Sequence, residues 1–381
     1  MEKKSILIVT SKFPYSKTEA DGGRSTVASV IDSVKDEYFT DILFVRTPNE
    51  DEKIIEGIRN IFFEEIKQKS RNKFERRVFN YQQVLERIIN LEKNYDLIIV
   101  IHVSKIFGLN QLEERIQKKV LLYPMFLSFA YEESGERVPS EYKTLEKDCL
   151  ETTKWIVSPS QYDKDSIVSA YGNDPNCIEV IPRSVSRLIP HESRSNLCNI
   201  NIASIGNIKA RKQPLLLLKI FNEVHKKYPY AKLFIAGEIQ DANLYSHCLQ
   251  YINEEKLNSA VEFLGAVTQM QIAELLKKCS INVTASNLET FGRCVFEGMY
   301  AGLPTVVFDV LTCVREFVDH GQGICFANDE LEFSQSIIKL VENENFYIEQ
   351  SKRAIKSTDF ISQETEKIHL LSFIERIIKE K

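Results

Sequence analysis

Two acidic side chains, Glu289 and Glu297, flank the run Thr290-Phe291-Gly292-Arg293-Cys294-Val295-Phe296. A carboxylate has two acceptor oxygens and is a natural partner for a pair of sugar hydroxyls. Gly292 lets backbone come close to a ligand, and a helix starting there would offer unpaired N–H groups and a partial positive charge to an anion such as phosphate. The set fits a ligand with hydroxyl-rich ends and a phosphate middle. On spacing alone a second reading stands beside it, in which both acids are solvated and merely complement a helix dipole. The flanking residues say which elements hold them. Residues 281–285 and 305–308 suit buried parallel strands, and Cys294, Val295, Met299 and Ala301 give a short helix between them an apolar side. Gly302-Leu303-Pro304 stops that helix. The acids then sit at the C-terminal end of the first strand, where open parallel sheets bind ligands.

Other groups with chemical potential also follow strand-like runs. Lys209, Arg211 and Lys212 come after a strand at 199–205 and Gly206, just before an apolar helix at 215–224. Cations gathered there suit a diphosphate, although by charge alone plain solvent exposure is the simpler account. Gly22 and Gly23 follow the strand at 6–9 and precede a helix, so their N–H groups could meet phosphate; such pairs are also common turns. His102 lies at the ligand-facing end of a strand spanning 96–103. Tyr131, Glu132 and Glu133 follow the strand at 120–123 and form either part of an acceptor site or an exposed acidic loop. The charged segment between the strands at 42–45 and 96–103 reads as helical. Its Lys67, Lys69, Arg71, Lys73, Arg76 and Arg77 interleave with Phe63, Ile66, Phe74 and Phe79, a basic amphipathic pattern for anionic lipid or an anionic acceptor, or else the solvated face of a surface helix. Asp163-Lys164-Asp165 spells D-x-D, but it falls in the first turn of a helix capped by Ser160, where acids favour the dipole, so it reads as structural.

A chain of 381 residues suits two domains, and 43% hydrophobic with 27% charged residues is ordinary globular composition. A net charge of −5 argues against a general nucleic-acid binder. The eight cysteines hold no C-x-x-C and do not cluster with the six histidines, which favours reduced thiols over disulfides or a zinc site. The N-terminus has a charged start and a short apolar run, a first strand and not a signal peptide. With no long apolar segment, the expectation is a cytoplasmic protein, at most peripheral on the cytoplasmic membrane face through the stretch between Lys67 and Arg77.

The string Glu289-x-Phe291-Gly292 followed by Glu297-Gly298-Met299-x-Ala301-Gly302-Leu303-Pro304 resembles the E-x7-E motif of retaining GT-B glycosyltransferases, and in its wider pattern family 4 of that group, the glycosyl transferases group 1 type. The resemblance implies that Glu297 holds the ribose hydroxyls of a nucleotide, that Glu289 sits beside the donor sugar, that backbone near Phe291 and Gly292 approaches the phosphates, and that Arg293 belongs to the donor site. It makes Gly22 and Gly23 neighbours of the diphosphate. The family's Gly-Arg-x4-Lys-Gly pattern falls on Gly206 to Gln213 and puts Lys212 on the lysine that neutralises the leaving diphosphate, with Lys209 and Arg211 beside it. Gly237 occupies a glycine of the family's Leu-x-Ile-x-Gly-x-Gly. Three departures stand out: Asn207 replaces the family's arginine, Gln213 its second glycine, and Tyr123-Pro124-Met125 stands where many members carry a histidine. His102, Tyr131, Glu132 and Glu133 therefore remain the candidates for the acceptor side.

The implied architecture is an α/β GT-B fold, two Rossmann-like domains facing a cleft. Residues 1–188 would form the acceptor domain and 189–361 the nucleotide-sugar donor domain, with a C-terminal helix over about 362–381 crossing back to the first. The implied reaction is metal-independent, retaining transfer of a hexosyl or N-acetylhexosaminyl group from a nucleoside diphosphate sugar, UDP favoured over GDP, to an acceptor hydroxyl. Glycan, glycolipid or glycosylated small-molecule synthesis would use it. No cofactor beyond the donor is called for. A nucleotide-sugar 2-epimerase and a non-catalytic nucleotide-sugar-binding partner are the alternatives on the same scaffold.

Overall fold

The computed structural model describes residues 3–14, 22–47, 54–70 and 72–380. They divide into two units, one made of Arg183–Gln363 and the other of the described residues up to Pro182 together with those from Glu364 onward.

In the first unit the described strands are β1 (Ser5–Thr10), β2 (Phe39–Phe44), β3 (Asn60–Phe63), β4 (Leu97–Ile101), β5 (Val120–Tyr123), β6 (Trp155–Ser158) and β7 (Ile178–Val180). They form one parallel sheet in the order β3-β2-β1-β4-β5-β6-β7. The central strands read as continuous apolar runs because helices cover both faces. Alternate residues accordingly join different cores: Leu7 and Val9 pack with Val78, Leu85 and Ile88, whereas Ile6 and Ile8 pack with Val27, Val30 and Ile31. The helix Gln363–Lys379 completes the second of these cores through Leu370, Phe373, Ile374 and Ile377, spaced to share one helical face. Ser29 donates to Glu366 Oε2 at 2.6 Å, a buried polar tie between that helix and Gly22–Val34. The last helix thus returns to the first unit, as the resemblance implies.

The charged segment before β4 differs from its sequence reading. It is not helical throughout: it contains β3, and the helix Lys73–Leu91 begins only after the cap Asn72. The edge strand is specified by buried Asp41, which takes a bidentate ion pair from Arg59 at 2.8–2.9 Å and further hydrogen bonds from Tyr95 Oη and Asn60 N. The basic residues therefore do not share one helical face. Phe63 ends β3, Lys67 and Lys69 lie in the loop, Arg71 falls outside the described residues, and Arg77 turns inward to Tyr142 Oη at 3.4 Å. No described helix is long and apolar enough to cross a membrane.

The second unit holds β8 (Asn201–Ile205), β9 (Lys232–Ala236), β10 (Val261–Gly265), β11 (Ile281–Thr284), β12 (Thr305–Phe308) and β13 (Ile324–Ala327). All pair in parallel, in the order β10-β9-β8-β11-β12-β13. This is the doubly wound Rossmann order, and its direction of winding reverses between β8 and β11. Gly302, at φ +74°, ends the helix Arg293–Tyr300, and a Cβ there would lie 2.1 Å from the Glu192 carbonyl oxygen.

The return of the C-terminal helix can be measured with the chain's single tryptophan, because the Trp155 and Phe373 rings meet edge to face at 5.9 Å. Phe373→Ala is expected to lower first-unit stability by about 3–5 kcal/mol, read as an earlier transition of Trp155 fluorescence in urea. An unchanged midpoint would show that the helix contributes nothing to that core.

Candidate functional site

The site grows from the two strands that flank the reversal. After β8 the chain passes Gly206 and makes a 3-10 turn, Ala210–Lys212, before the helix Pro214–Lys227. Close backbone approach holds this loop in place: a Cβ on Gly237 would lie 2.2 Å from the Gly206 carbonyl oxygen. Asn207 Oδ1 accepts from Glu238 N at 3.1 Å, so the residue standing where the family has arginine ties the β8 and β9 loops together. Gln213 has φ +48°, the left-handed conformation that favours glycine, which accounts for a glycine at this place in the family pattern.

The turn brings its cations onto the acid that follows β11. Lys212 Nζ lies 2.6 Å from Glu289 Oε1, and Arg211 Nη1 lies 3.2 Å from Oε2 and donates to the Leu288 carbonyl at 2.7 Å. The three side chains are only 11–14% exposed. Lys212 also contacts Cys294 Sγ at 3.6 Å and runs under Gly206, where a Cβ would come within 2.9 Å of its stem. Burial by itself would raise the Glu289 carboxyl, but Arg211 and Lys212, with hydrogen bonds from Lys212 and Ser286, hold it well below the usual carboxylate range. Burial would lower the Lys212 ammonium, yet Cys294 and Glu289 keep it above its ordinary value. Two cations on one carboxylate leave a net positive charge, suited to an anion.

Gly292, at φ +82°, caps the helix Arg293–Tyr300 from outside, and a Cβ there would be 2.7 Å from Val314 Cγ2. Arg293 Nη1 donates to the Ser184 carbonyl at 2.7 Å. Glu297, on the same helix, is 3% exposed, and among the described residues no donor hydrogen-bonds its carboxylate. Burial pushes this carboxyl up to about 7, against the attraction of Arg293 and Lys212. The bland reading of both acids as solvated first-turn residues is therefore wrong: each is buried. The Phe291 ring points into an aromatic cluster, 4.8 Å from Phe296 and 5.6 Å from Phe317, so only its backbone is available to a ligand.

Residues 187–358 match the family model described as glycosyl transferases group 1. The C-terminal half of the chain belongs to that family. An uncharacterized glycosyltransferase of Haemophilus influenzae is 26% identical over 176 residues, 45% of this chain and 48% of that protein, so the match spans about half of the relative's length. Among solved structures, the sucrose-phosphate synthase of Thermosynechococcus elongatus superposes with a TM-score of 0.82 at 15% identity, covering 100% of both chains. Anabaena HepE, solved in complex with UDP and glucose, gives 0.78 at 13% identity over 98% of this chain and 100% of that one. At such identities these likenesses show the fold, which is GT-B, and not the substrate.

Within the group 1 half the structure brings together Gly206, Arg211, Lys212, Gly237, Glu289 and Gly292 and holds Glu297 on the adjoining helix; Lys209 caps the cation-bearing turn. Gly22 and Gly23 belong to the first unit, where they open the helix Gly22–Val34; the stretch just before them lies outside the described residues. His102 directly follows β4, at the reversal of the first sheet. Tyr131 packs its ring edge-on against Phe74 and Phe126 at 5.1 and 4.6 Å, Glu132 pairs with Lys143 at 2.8 Å, and Glu133 is exposed. Sequence reasoning passed over Ser286 and read Cys294 only as part of a helix's apolar side; their places at the ion cluster follow from which atoms they meet and not from their type.

Breaking the ion cluster exposes its energetics. Glu289→Gln leaves two buried cations facing no carboxylate and is expected to cost about 3–5 kcal/mol in urea unfolding. Adding Lys212→Met should return much of that loss. Equal instability of the single and double variants would mean that the pair is not what the acid supports.

Proposed function

We propose that the protein is a retaining glycosyltransferase that takes a hexosyl or N-acetylhexosaminyl group from a nucleoside diphosphate sugar, UDP in preference to GDP, and passes it to an acceptor hydroxyl. The observation that carries this reading is Lys212 and Arg211 closing on Glu289 at the strand reversal of a group 1 domain, beside a buried Glu297 whose carboxylate no donor among the described residues hydrogen-bonds. In this reading the donor's ribose hydroxyls donate to Glu297, and the diphosphate meets Lys212, Arg211 and the backbone N–H groups at Gly292. Preorganised charge of this kind usually supplies the largest share of barrier lowering. The bond from the anomeric carbon to the phosphate oxygen breaks while the acceptor oxygen bonds to the same face, and the acceptor proton passes to the leaving phosphate. Glu289, kept ionised by its cations, orients the sugar or stabilises positive charge at its ring.

Incubation with UDP- and GDP-sugars and candidate acceptors should release nucleoside diphosphate, undiminished by EDTA. Glu289→Ala should abolish turnover while costing less in nucleotide affinity. Epimerised donor without release would establish the epimerase reading, and donor binding with neither outcome the non-catalytic one.

Protonation of Glu297 provides a second check. A protonated carboxyl accepts hydroxyl hydrogen bonds poorly, so UDP-glucose affinity is expected to weaken as the pH falls through about 7. Calorimetry of wild type against Glu297→Gln reads this, and an identical pH profile in both would remove Glu297 from the nucleotide site.

A further inference from the structure

The first unit carries its own cluster of basic groups at the matching place, the reversal between β1 and β4. Directly after β4, His102 has φ +90°, a conformation that packing must enforce on a side-chain-bearing residue. The 3-10 turn Val103–Lys105 follows, packed against the helices Lys73–Leu91 and Ser140–Thr152. Three basic side chains, His102, Lys105 and Arg77, gather here; among the described residues no acid pairs with His102 or Lys105, and Glu146 acts on Arg77. Lys105 is 8% exposed, and among the described residues its ammonium has no hydrogen-bond or ion-pair partner. Among the described residues, the hydrogen-bond partners of Arg77 are the hydroxyls of Tyr142 and Tyr131. Among the neighbouring charges, Lys73 pairs with Glu136 and Arg76 donates to the Ser70 carbonyl, while Glu146 takes Ser128 and Tyr171 on Oε1, leaves Oε2 without a hydrogen-bond partner among the described residues, and feels the charge of Arg77.

The histidine shows which kind of atom is missing. Ser104 N donates to His102 Nδ1 at 3.2 Å, so Nδ1 is the bare nitrogen of a neutral ring and Nε2 carries the proton. That Nε2 is buried and has no hydrogen-bond partner among the described residues. Burial first, and then Arg77, Lys105, Lys73 and Lys12, hold the ring well below its ordinary value, hence neutral. Burial and the charges of Arg77 and Arg76 likewise push the Lys105 ammonium down to about 7. Buried donors of one sign without acceptors are costly unless a ligand supplies the acceptors.

We propose that His102 Nε2, Lys105 and Arg77 form an anion site at the β1–β4 reversal that holds a phosphate group of the acceptor. Three donors, two of them cationic when the site fills, match the multiple oxygens and double charge of a phosphate monoester better than a single carboxylate. Assigning that phosphate to the acceptor rests on the glycosyltransferase reading; the anion site itself does not.

The test is thermal melting of the full-length protein in saturating UDP, titrated with inorganic phosphate against chloride at matched ionic strength. Phosphate should raise the melting temperature where chloride does not. Lys105→Met and His102→Asn should each weaken the response by about tenfold or more, the loss of one charge-assisted or buried hydrogen bond. Asparagine is chosen because it tolerates positive φ. No phosphate-specific rise, or the same response in both variants, overturns the site. Glycerol 3-phosphate and phosphatidate-containing phosphatidylcholine vesicles then separate sources: protection by the first identifies a soluble acceptor, and Lys105-dependent sedimentation with the second a lipid-linked one. UDP's own effect on melting reports the donor reading independently, so its absence beside an intact phosphate response would sink that reading alone.

Discussion

A carboxylate buried at the end of β11 can remain ionised only if cations meet it, and this requirement organises the group 1 half of the protein. Glu289 is satisfied from two sides by Lys212 and Arg211, which arrive from the loop after β8. For those cations to reach, Gly206 must lack a side chain, Gly237 must let two backbones touch, and Asn207 must tie the β8 and β9 loops. The left-handed Gln213 then redirects the chain into its helix. None of these features is strongly stabilising alone. Together they hold a positively biased ion cluster in place before any ligand arrives, which is what preorganised electrostatics requires.

The two units use the same parallel winding and place chemistry at the same topological point, yet they balance charge differently. In the second unit the carboxylate of Glu289 compensates the cations, while burial pushes the Glu297 carboxyl up. In the first unit the situation is inverted. There His102 and Lys105 lie among basic groups, and burial acts on both to disfavour their charged forms.

Much of the fold could be read from the chain because parallel strands buried on both faces announce themselves as apolar runs. The strands around Ile6, Ile99, Leu121 and Val306 were visible in this way. The half-buried edge strand Asn60–Phe63 was not. Its apolar run is short, and it is held by Asp41 and Arg59, residues too far apart in sequence to be read as a pair. The basic stripe from Lys67 to Arg77 failed as a helical face for the same reason, since Asn72 starts the helix late and Tyr142 draws Arg77 inward.

What the sequence determined by itself was the place of the groups that build the second unit's candidate site: Gly206, Lys212, Glu289, Gly292 and Glu297 lie at strand ends and a helix start, where local pattern reveals position. What only the tertiary structure decided was their electrostatic state. Whether Glu289 is ionised, Glu297 is shielded, or His102 presents a bare N–H depends on burial and on partners brought in from distant strands, such as Lys212 meeting Glu289 across 77 positions of chain. Dielectric environment and through-space charge are properties of the packed molecule, and one-dimensional spacing carries no record of them.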